Sequence, residues 1–547
     1  MEKVTTAWEE GTPDRPICII GEAPSKVEMS WSRPLVGPSG DIFNDCLHAA
    51  GLGRNQCYIL NIWPFMVQKD REDNILYRGS ILWHHKHGMT DDGWDAAADQ
   101  VGKLRDFQGN VLVSLGRPAF SILSGEMKPI MKWRGSPLWS DKFQRKYIPT
   151  VHPAATLHGV YVWRYLIQND LAKAGAMADK PELELPQREL LIAPTLSDVY
   201  HMMNQCREAK KFATDLEVVN HQVSCFSMSS RKDQAMTIPM VGEDGNAYWN
   251  EDDELLIWQW YSALMADPGV MKVNQNIIGF DIPFLIDKNH IHTHGRIGDT
   301  MIAQHIIYPH FNKGLDFIAS WHTMEPYWKD EGKIWKTNHK IPWPIFQRYC
   351  GKDSAVALEV WDILEKELTD GGYWPTYDMT IEMRYALAYM TLRGLKVNKE
   401  ELEKTKVLLE TTIADLQGQL DVATSEFGSL NPASPKACKE YFYTHLGLHP
   451  YLNGQGTPTT DDKAMSRIIR KASKGSREAK LVQEIRAKRK LKGTYIDVKL
   501  DPDDRLRCSW NPRGTWTGRL SSSKTIFDTG MNLQNLHPEF KGFIVGG

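Results

Sequence analysis

Short apolar runs at 17–20, 58–62 and 111–115 alternate with segments of helical periodicity, and this alternation predicts an α/β layer from Ile17 to about Ala176. Turn-forming clusters punctuate it at 21–24, 37–40 and 116–118. A polar, proline-flanked stretch over 178–187 reads as a linker. A second α/β block follows over 188–372. Beyond Trp374 the pattern becomes that of long helices, notably 381–395 and 400–420. The expected organisation is a domain over 1–177, the linker, a domain over 188–372 and a mostly helical block over 373–547.

Length agrees with that division, since 547 residues suit three or so domains. The 42% hydrophobic and 24% charged composition is that of a folded globular protein. No basic leader with an apolar core opens the chain, and no apolar run reaches the roughly 20 residues of a membrane span. A cytoplasmic location without a membrane partner is expected. Eight scattered cysteines lack any Cys-x-x-Cys pair, so neither zinc nor an iron–sulfur cluster is expected and the thiols read as reduced. The net charge of -3 carries no global sign of nucleic-acid binding, so any such surface is local. From Arg467 to Tyr495, eleven Lys or Arg residues stand against Glu478 and Glu484 along an expected helix pair, which suits a phosphate backbone. A solvated helix face is the alternative.

The middle block concentrates carboxylates. Asp215 and Glu217 lie two apart on a strand-like run and share one face of it. Asp281 ends the run Asn274-Gln275-Asn276-Ile277-Ile278-Gly279-Phe280-Asp281 at an expected strand-to-helix junction, while Tyr349 and Asp353 at i and i+4 share a helical face. Four acids from three segments can hold two Mg²⁺ or Mn²⁺ ions through oxygen, generating a hydroxide nucleophile and stabilising a leaving 3′ oxygen, with Tyr349 orienting the water. The order Asp-x-Glu, Asn-x-x-x-Phe-Asp, Tyr-x-x-x-Asp resembles the DnaQ-like, or DEDDy, proofreading exonucleases, in particular the polymerase I branch. That resemblance implies an RNase H-like domain with Asp215, Glu217, Asp281 and Asp353 as metal ligands and Tyr349 positioning water. Asp299, in the intervening Gly-Asp-Thr-Met segment, is expected to be structural.

In the last block, Arg393-Gly394-Leu395, Leu430-Asn431-Pro432, Lys490-Leu491-Lys492-Gly493-Thr494, Thr517-Gly518-Arg519-Leu520-Ser521 and Asn532-Leu533-Gln534-Asn535 follow in an order that resembles phage-type family A DNA polymerases. This implies a helical thumb and the start of a palm. Lys490, Lys492, Thr494, Arg519, Ser521, Asn532 and Gln534 would meet primer-template DNA and its single-stranded 3′ end. In that family the palm carboxylates lie further on than Gly547, so this stretch alone is not expected to extend a primer. A second polypeptide supplying fingers and palm, or other replisome proteins, are the partners this implies, in a bacterial host cytoplasm if the gene is a phage's.

The first block resembles family 4-like uracil-DNA glycosylases through Gly21-Glu22-Ala23-Pro24, Arg33-Pro34-Leu35-Val36-Gly37, Tyr58-Ile59-Leu60-Asn61 and Val151-His152-Pro153. The implied site is Glu22 near the attacking water, Asn61 reading the pyrimidine edge and His152 steadying the departing base. The departures are the missing cluster-binding cysteines, Leu35 in place of a stacking aromatic, and Ser25 in place of a glycine. The leading expectation is therefore a multidomain α/β chain: the front part of a replicative polymerase with a metal-dependent 3′–5′ exonuclease. Uracil excision and a non-catalytic DNA-binding accessory are the alternatives.

Overall fold

The computed structural model of the chain describes residues 9–332, 342–454, 456–527 and 529–546. It divides into two compact units, Met1–Ile381 and Glu382–Gly547. The mixed α/β multidomain class expected from the sequence is the one the chain adopts.

In the first domain, strands Ile17–Gly21, Cys57–Asn61, Val111–Leu115 and Arg145–Thr150 run parallel, flanked antiparallel by Glu9–Glu10 and Leu138–Ser140. The first three of these parallel strands are buried along their whole length because alternate residues feed two cores. Ile17, Ile19, Val111 and Val113 face one, with Leu47 and Leu171 from helices Pro38–Ala49 and Trp163–Ala176. Cys18, Ile20 and Leu112 face the other, with Val101 and Phe120 from helices Asp91–Asp106 and Gly116–Ser124. A strand period of two thus sets an α/β/α sandwich.

The middle domain has a second six-stranded sheet, in the spatial order 189–191, 234–239, 222–231, 211–219, 271–274, 297–299. Strand Lys211–Val219 is antiparallel to Gln222–Arg231 and parallel to Met271–Asn274. Helix Trp343–Asp370 crosses it, with Trp361 in the core beside Val273 and Tyr377. Hydroxyls on the sheet fix the helix. Ser227 Oγ donates to the Cys350 carbonyl at 2.8 Å and Thr237 Oγ1 to that of Gln347 at 2.8 Å.

In the second unit, helices Lys399–Ala423, Asp462–Lys471 and Ser476–Leu491 surround Leu420, Phe442, Ile468 and Ile485. A separate core gathers Val397, Leu506 and Phe540. The basic stretch therefore falls on a helix pair, with its apolar residues turned inward.

Within the first unit the two α/β domains meet through a buried polar seam. The 178–187 stretch has no regular secondary structure, yet Asn110 Nδ2 donates to the Ala178 carbonyl and Lys146 Nζ to those of Lys180 and Glu182, seating it on the first domain. Arg134 and Asp170, both fully buried, form a bidentate ion pair that Thr150 Oγ1 completes at 2.7 Å. Arg134 Nη1 then reaches Ser320 Oγ of the middle domain at 3.0 Å. Lys173 spends all three ammonium donors on the carbonyls of Gly135, Ser320 and Thr323, at 3.1, 2.6 and 2.5 Å. Removing one member leaves the others buried and unpaired. Arg134→Met is accordingly expected to lower the unfolding free energy of this unit by about 3 kcal/mol. Lys180→Ala, which breaks only the exposed pair with Glu184, should leave the melting temperature where it was. Calorimetry on the two variants checks the contrast.

Candidate functional site

The strand Lys211–Val219 presents Asp215 and Glu217 to one side, and helix Trp343–Asp370 brings Asp353 over them. One carboxylate oxygen from each of these three acids lies within 4.8 Å of the other two. Asp281, the first residue of the short helix Asp281–Phe284, stands outside that trio but is tied to it. Asn274 Nδ2 donates to Asp215 Oδ1 at 3.1 Å and to Asp281 Oδ1 at 3.0 Å. Tyr349 lies one helical turn before Asp353 on the same helix. Asp299 does something different. It accepts from the backbone N–H groups of Asn276, Ile278, Met301 and Ile302, capping helix Thr300–Ile307 and holding the turn that delivers Asp281.

Crowding sets the electrostatics. Burial, then Glu217 and Asp353, push the Asp215 carboxyl up to about 8. Burial and Asp215 raise Asp281 as well. Burial and Asp353 raise the Tyr349 phenol, which stays protonated, and its hydroxyl accepts from Lys329 Nζ at 3.3 Å. Two residues that carry no motif or periodic signal also enter here. Trp328 Nε1 donates to Asp353 Oδ1 at 2.6 Å and Lys329 Nζ to Oδ2 at 2.5 Å. They come from the run Tyr327-Trp328-Lys329-Asp330-Glu331, which has no spacing that marks it.

A second grouping lies at the carboxyl ends of the parallel strands in the first domain, the edge where open α/β sheets bind ligands. Glu22 follows Ile17–Gly21, Asn61 ends Cys57–Asn61 and His152 follows Arg145–Thr150. Gly21 is required there, because an added Cβ would sit 2.2 Å from Asn61 Oδ1. Asn61 is buried, and its Nδ2 has no hydrogen-bond partner among the described residues. His152 Nδ1 accepts from the Ala154 N–H at 3.2 Å, and burial lowers the imidazole pKa. A neutral ring accepting at Nδ1 keeps its proton on Nε2. Lys69 pairs with Glu22 at 3.2 Å. Leu35 is buried in the core with φ +49. Ser25 caps helix Lys26–Trp31 in a reciprocal box with Glu28, which gives the serine a structural role. Cys18, Cys46 and Cys57 are all core residues, and burial pushes the thiols of Cys46 and Cys57 up to about 11 and about 12.

The candidates of the second unit divide by exposure. Lys490, Thr494 and Arg519 are exposed. Lys492 pairs with Glu410 at 3.2 Å and Asp497 at 2.7 Å. Asn532 Oδ1 accepts from Ser522 Oγ, and Gln534 Nε2 donates to the Leu520 carbonyl, so both brace the Ser521–Ser523 strand that carries Ser521. Arg486, from the basic stretch, is spent internally on the carbonyls of Pro432 and Thr460.

Three protein families match successive parts of the chain: the uracil DNA glycosylase superfamily over residues 8–166, 3′-5′ exonuclease over 192–369 and DNA polymerase family A over 399–540. The chain carries glycosylase-superfamily, 3′–5′ exonuclease and family A DNA polymerase domains, and is an enzyme. It is similar to the type-4 uracil-DNA glycosylase of Thermotoga maritima, 28% identical over 183 residues, covering 33% of this chain and 86% of that protein. The type-4 enzyme of Archaeoglobus fulgidus is 26% identical over 179 residues, 31% of this chain and 81% of that protein. Among solved structures it resembles the POL domain of Pol1 from M. smegmatis in complex with DNA primer-template and dNTP, at 18% identity and a TM-score of 0.49, over 66% of this chain and 59% of that one.

The exonuclease domain implies use of divalent metal, and its donor set fits. Three hard oxygen ligands, of which Asp215 has its pKa raised by burial and then by its acidic neighbours, suit a divalent cation that would relieve their crowding. The repulsion also has a pH signature. Folded Asp215 keeps its proton to about 8, whereas an unfolded aspartate releases it near about 3.9. Between those values the folded chain binds more protons, so stability declines as pH rises through the window. Ca²⁺ should therefore raise the melting temperature more at about pH 8 than at about pH 5, and Asp215→Asn should flatten the difference. Equal Ca²⁺ stabilisation at both pH values would count against the site.

Proposed function

We propose that the chain trims mismatched 3′ ends of DNA through its exonuclease domain, within a family A polymerase that works on primer-template. The observation that carries this is the convergence of Asp215, Glu217 and Asp353 within 4.8 Å, with Asp281 tied in through Asn274. Asp215, Glu217, Asp281 and Asp353 would hold two Mg²⁺ or Mn²⁺ ions, which supply a hydroxide nucleophile and stabilise the departing 3′ oxygen. Tyr349, kept neutral, hydrogen-bonds the attacking water, and helix Trp343–Asp370 holds it one turn from Asp353. The exposed Lys490, Thr494 and Arg519 of the second unit bind the DNA backbone, with Lys492, Ser521, Asn532 and Gln534 shaping that surface. Among the described residues no helix is long and apolar enough to cross a membrane. Asp215→Ala should slow excision of a mismatched primer end by about 1,000-fold while leaving DNA affinity within a factor of about two. A quench-flow assay on a labelled primer reads both, and retained excision rejects the assignment.

A second activity is favoured by one observation, the buried amide of Asn61 whose Nδ2 has no partner at the carboxyl edge of the first sheet. An amide so placed can read a flipped pyrimidine, with Nε2–H of His152 as the donor that would stabilise charge on the departing base and Glu22 polarising water. Uracil excision would then continue in EDTA, since no step uses a divalent ion. Asn61→Ala and His152→Ala should each reduce abasic-site formation in uracil-containing DNA by about 100-fold. Cleavage that needs Mg²⁺, or that ignores both substitutions, would exclude this second site.

A further inference from the structure

Both carboxylate oxygens of Asp353 are engaged by one short segment. Trp328 Nε1 donates to Oδ1 at 2.6 Å and Lys329 Nζ to Oδ2 at 2.5 Å, and the same ammonium donates to the Tyr349 hydroxyl at 3.3 Å. The segment then passes directly over the Tyr349 ring. At Gly332 an added Cβ would lie 2.4 Å from Tyr349 Cε1, so the close approach needs glycine. The flanking residues face the other way. Tyr327 N–H donates to Ser136 Oγ of the glycosylase-superfamily domain at 3.1 Å, and its ring sits 5.1 Å from that of Trp133. Asp330 pairs with Lys132 at 2.8 Å and accepts from the Tyr327 hydroxyl at 2.9 Å. Residues 327 and 330 thus grip one domain while 328 and 329 grip the acid of the other. Upstream, buried Glu325 anchors the segment to Arg188 at 3.0 Å and to Lys352 at 2.7 Å.

We propose that Trp328 and Lys329 complete the exonuclease site, with Lys329 as a positioning residue for Asp353 and Tyr349, and that the glycosylase-superfamily domain holds the pair in place through Lys132, Trp133 and Ser136. The inference rests on the exonuclease reading above. A carboxylate held on both oxygens by N–H donors is fixed in rotation, and a phenol held by an ammonium has its hydroxyl oriented. The ammonium also shares Asp353 with any divalent ion, so its two effects have opposite signs. It orders the groups that act on the substrate and it weakens metal binding. The first domain consequently takes part in 3′-end removal whether or not it excises a base.

Two readouts on the full chain separate these effects: the single-turnover rate of mismatch excision and the affinity for Mn²⁺ by titration calorimetry. Lys329→Ala should slow excision by about 10-fold or more yet bind Mn²⁺ more tightly, and Lys329→Arg should recover part of the rate. The double variant Lys132→Glu, Ser136→Ala touches neither Asp353 nor Tyr349. It should move both readouts in the same directions by smaller factors. Slower excision with weaker Mn²⁺ binding in Lys329→Ala would mean general damage and overturn the positioning role. A double variant matching the unmodified chain on both readouts would overturn the part given to the first domain. Absence of excision by the unmodified chain would instead bring down the exonuclease reading itself, and is recognisable because it precedes any substitution.

Discussion

Three carboxylates brought within 4.8 Å of one another repel, and most of what surrounds them answers that repulsion. No single element could hold them. Asp215 and Glu217 are fixed by a strand paired on both sides, in register with Ser227 and Cys225 on one neighbour. Asp353 is fixed by a long helix that the Ser227 and Thr237 hydroxyls bond to the same sheet. Ser227, opposite Asp215 in the ladder, also bonds the helix that carries Asp353. The separation of the acids is therefore set by backbone geometry, which repulsion between side chains cannot relax. What remains is compensated locally, by the Asn274 amide between Asp215 and Asp281 and by Lys329 on Asp353.

The seam between the first two domains follows the same logic with a different result. Arg134, Asp170, Thr150, Ser320 and Lys173 satisfy one another's donors and acceptors almost completely. A buried ion pair adds little net stability over an apolar contact, because desolvation offsets the attraction. It does fix geometry, since a shift of an ångström or so would strand several charged groups at once. The seam is thus better understood as setting the register of the two domains. That register in turn decides where Tyr327 and Asp330 lie, and through them Trp328 and Lys329.

The parts of this architecture legible in the sequence were those with a period or an ordered motif. Continuous apolar runs gave the parallel strands of the first sheet, and Asp-x-Glu with Tyr-x-x-x-Asp gave one face of a strand and one face of a helix. Asp299 was also readable as structural, and it caps a helix. The seam was not legible, because Arg134, Asp170 and Ser320 come from distant positions and each alone reads as an ordinary solvent-facing polar residue. Lys329 was hidden for the same reason, since it lies between Trp328 and Asp330 in a run with no periodic spacing. Exposure divided the expected DNA-contacting residues in a way composition could not. Lys492 and Arg486 belong to the basic stretch yet are held by Glu410, Asp497 and backbone carbonyls, so the count of basic residues overstates the charge available to a phosphate backbone.

The two candidate sites of the first unit both lie on parallel or mixed sheets, but they prepare for opposite kinds of ligand. At Asn61 and His152 the sheet edge offers a neutral imidazole and a buried amide donor left unpaired, groups whose desolvation has already been incurred and which a base edge can satisfy. At Asp215, Glu217 and Asp353 the sheet and the helix crossing it offer crowded carboxylates, which a proton, the Lys329 ammonium or a divalent cation can relieve. An unpaired amide discriminates by shape and hydrogen bonding, whereas crowded acids act on any phosphodiester that reaches them. Selectivity of the second site must therefore come from what controls access and alignment around Asp353 and Tyr349. The segment that aligns both groups is the one gripped by the neighbouring domain, so in the proposed exonuclease the seam between the domains bears on how that acid and phenol are presented to a 3′ end.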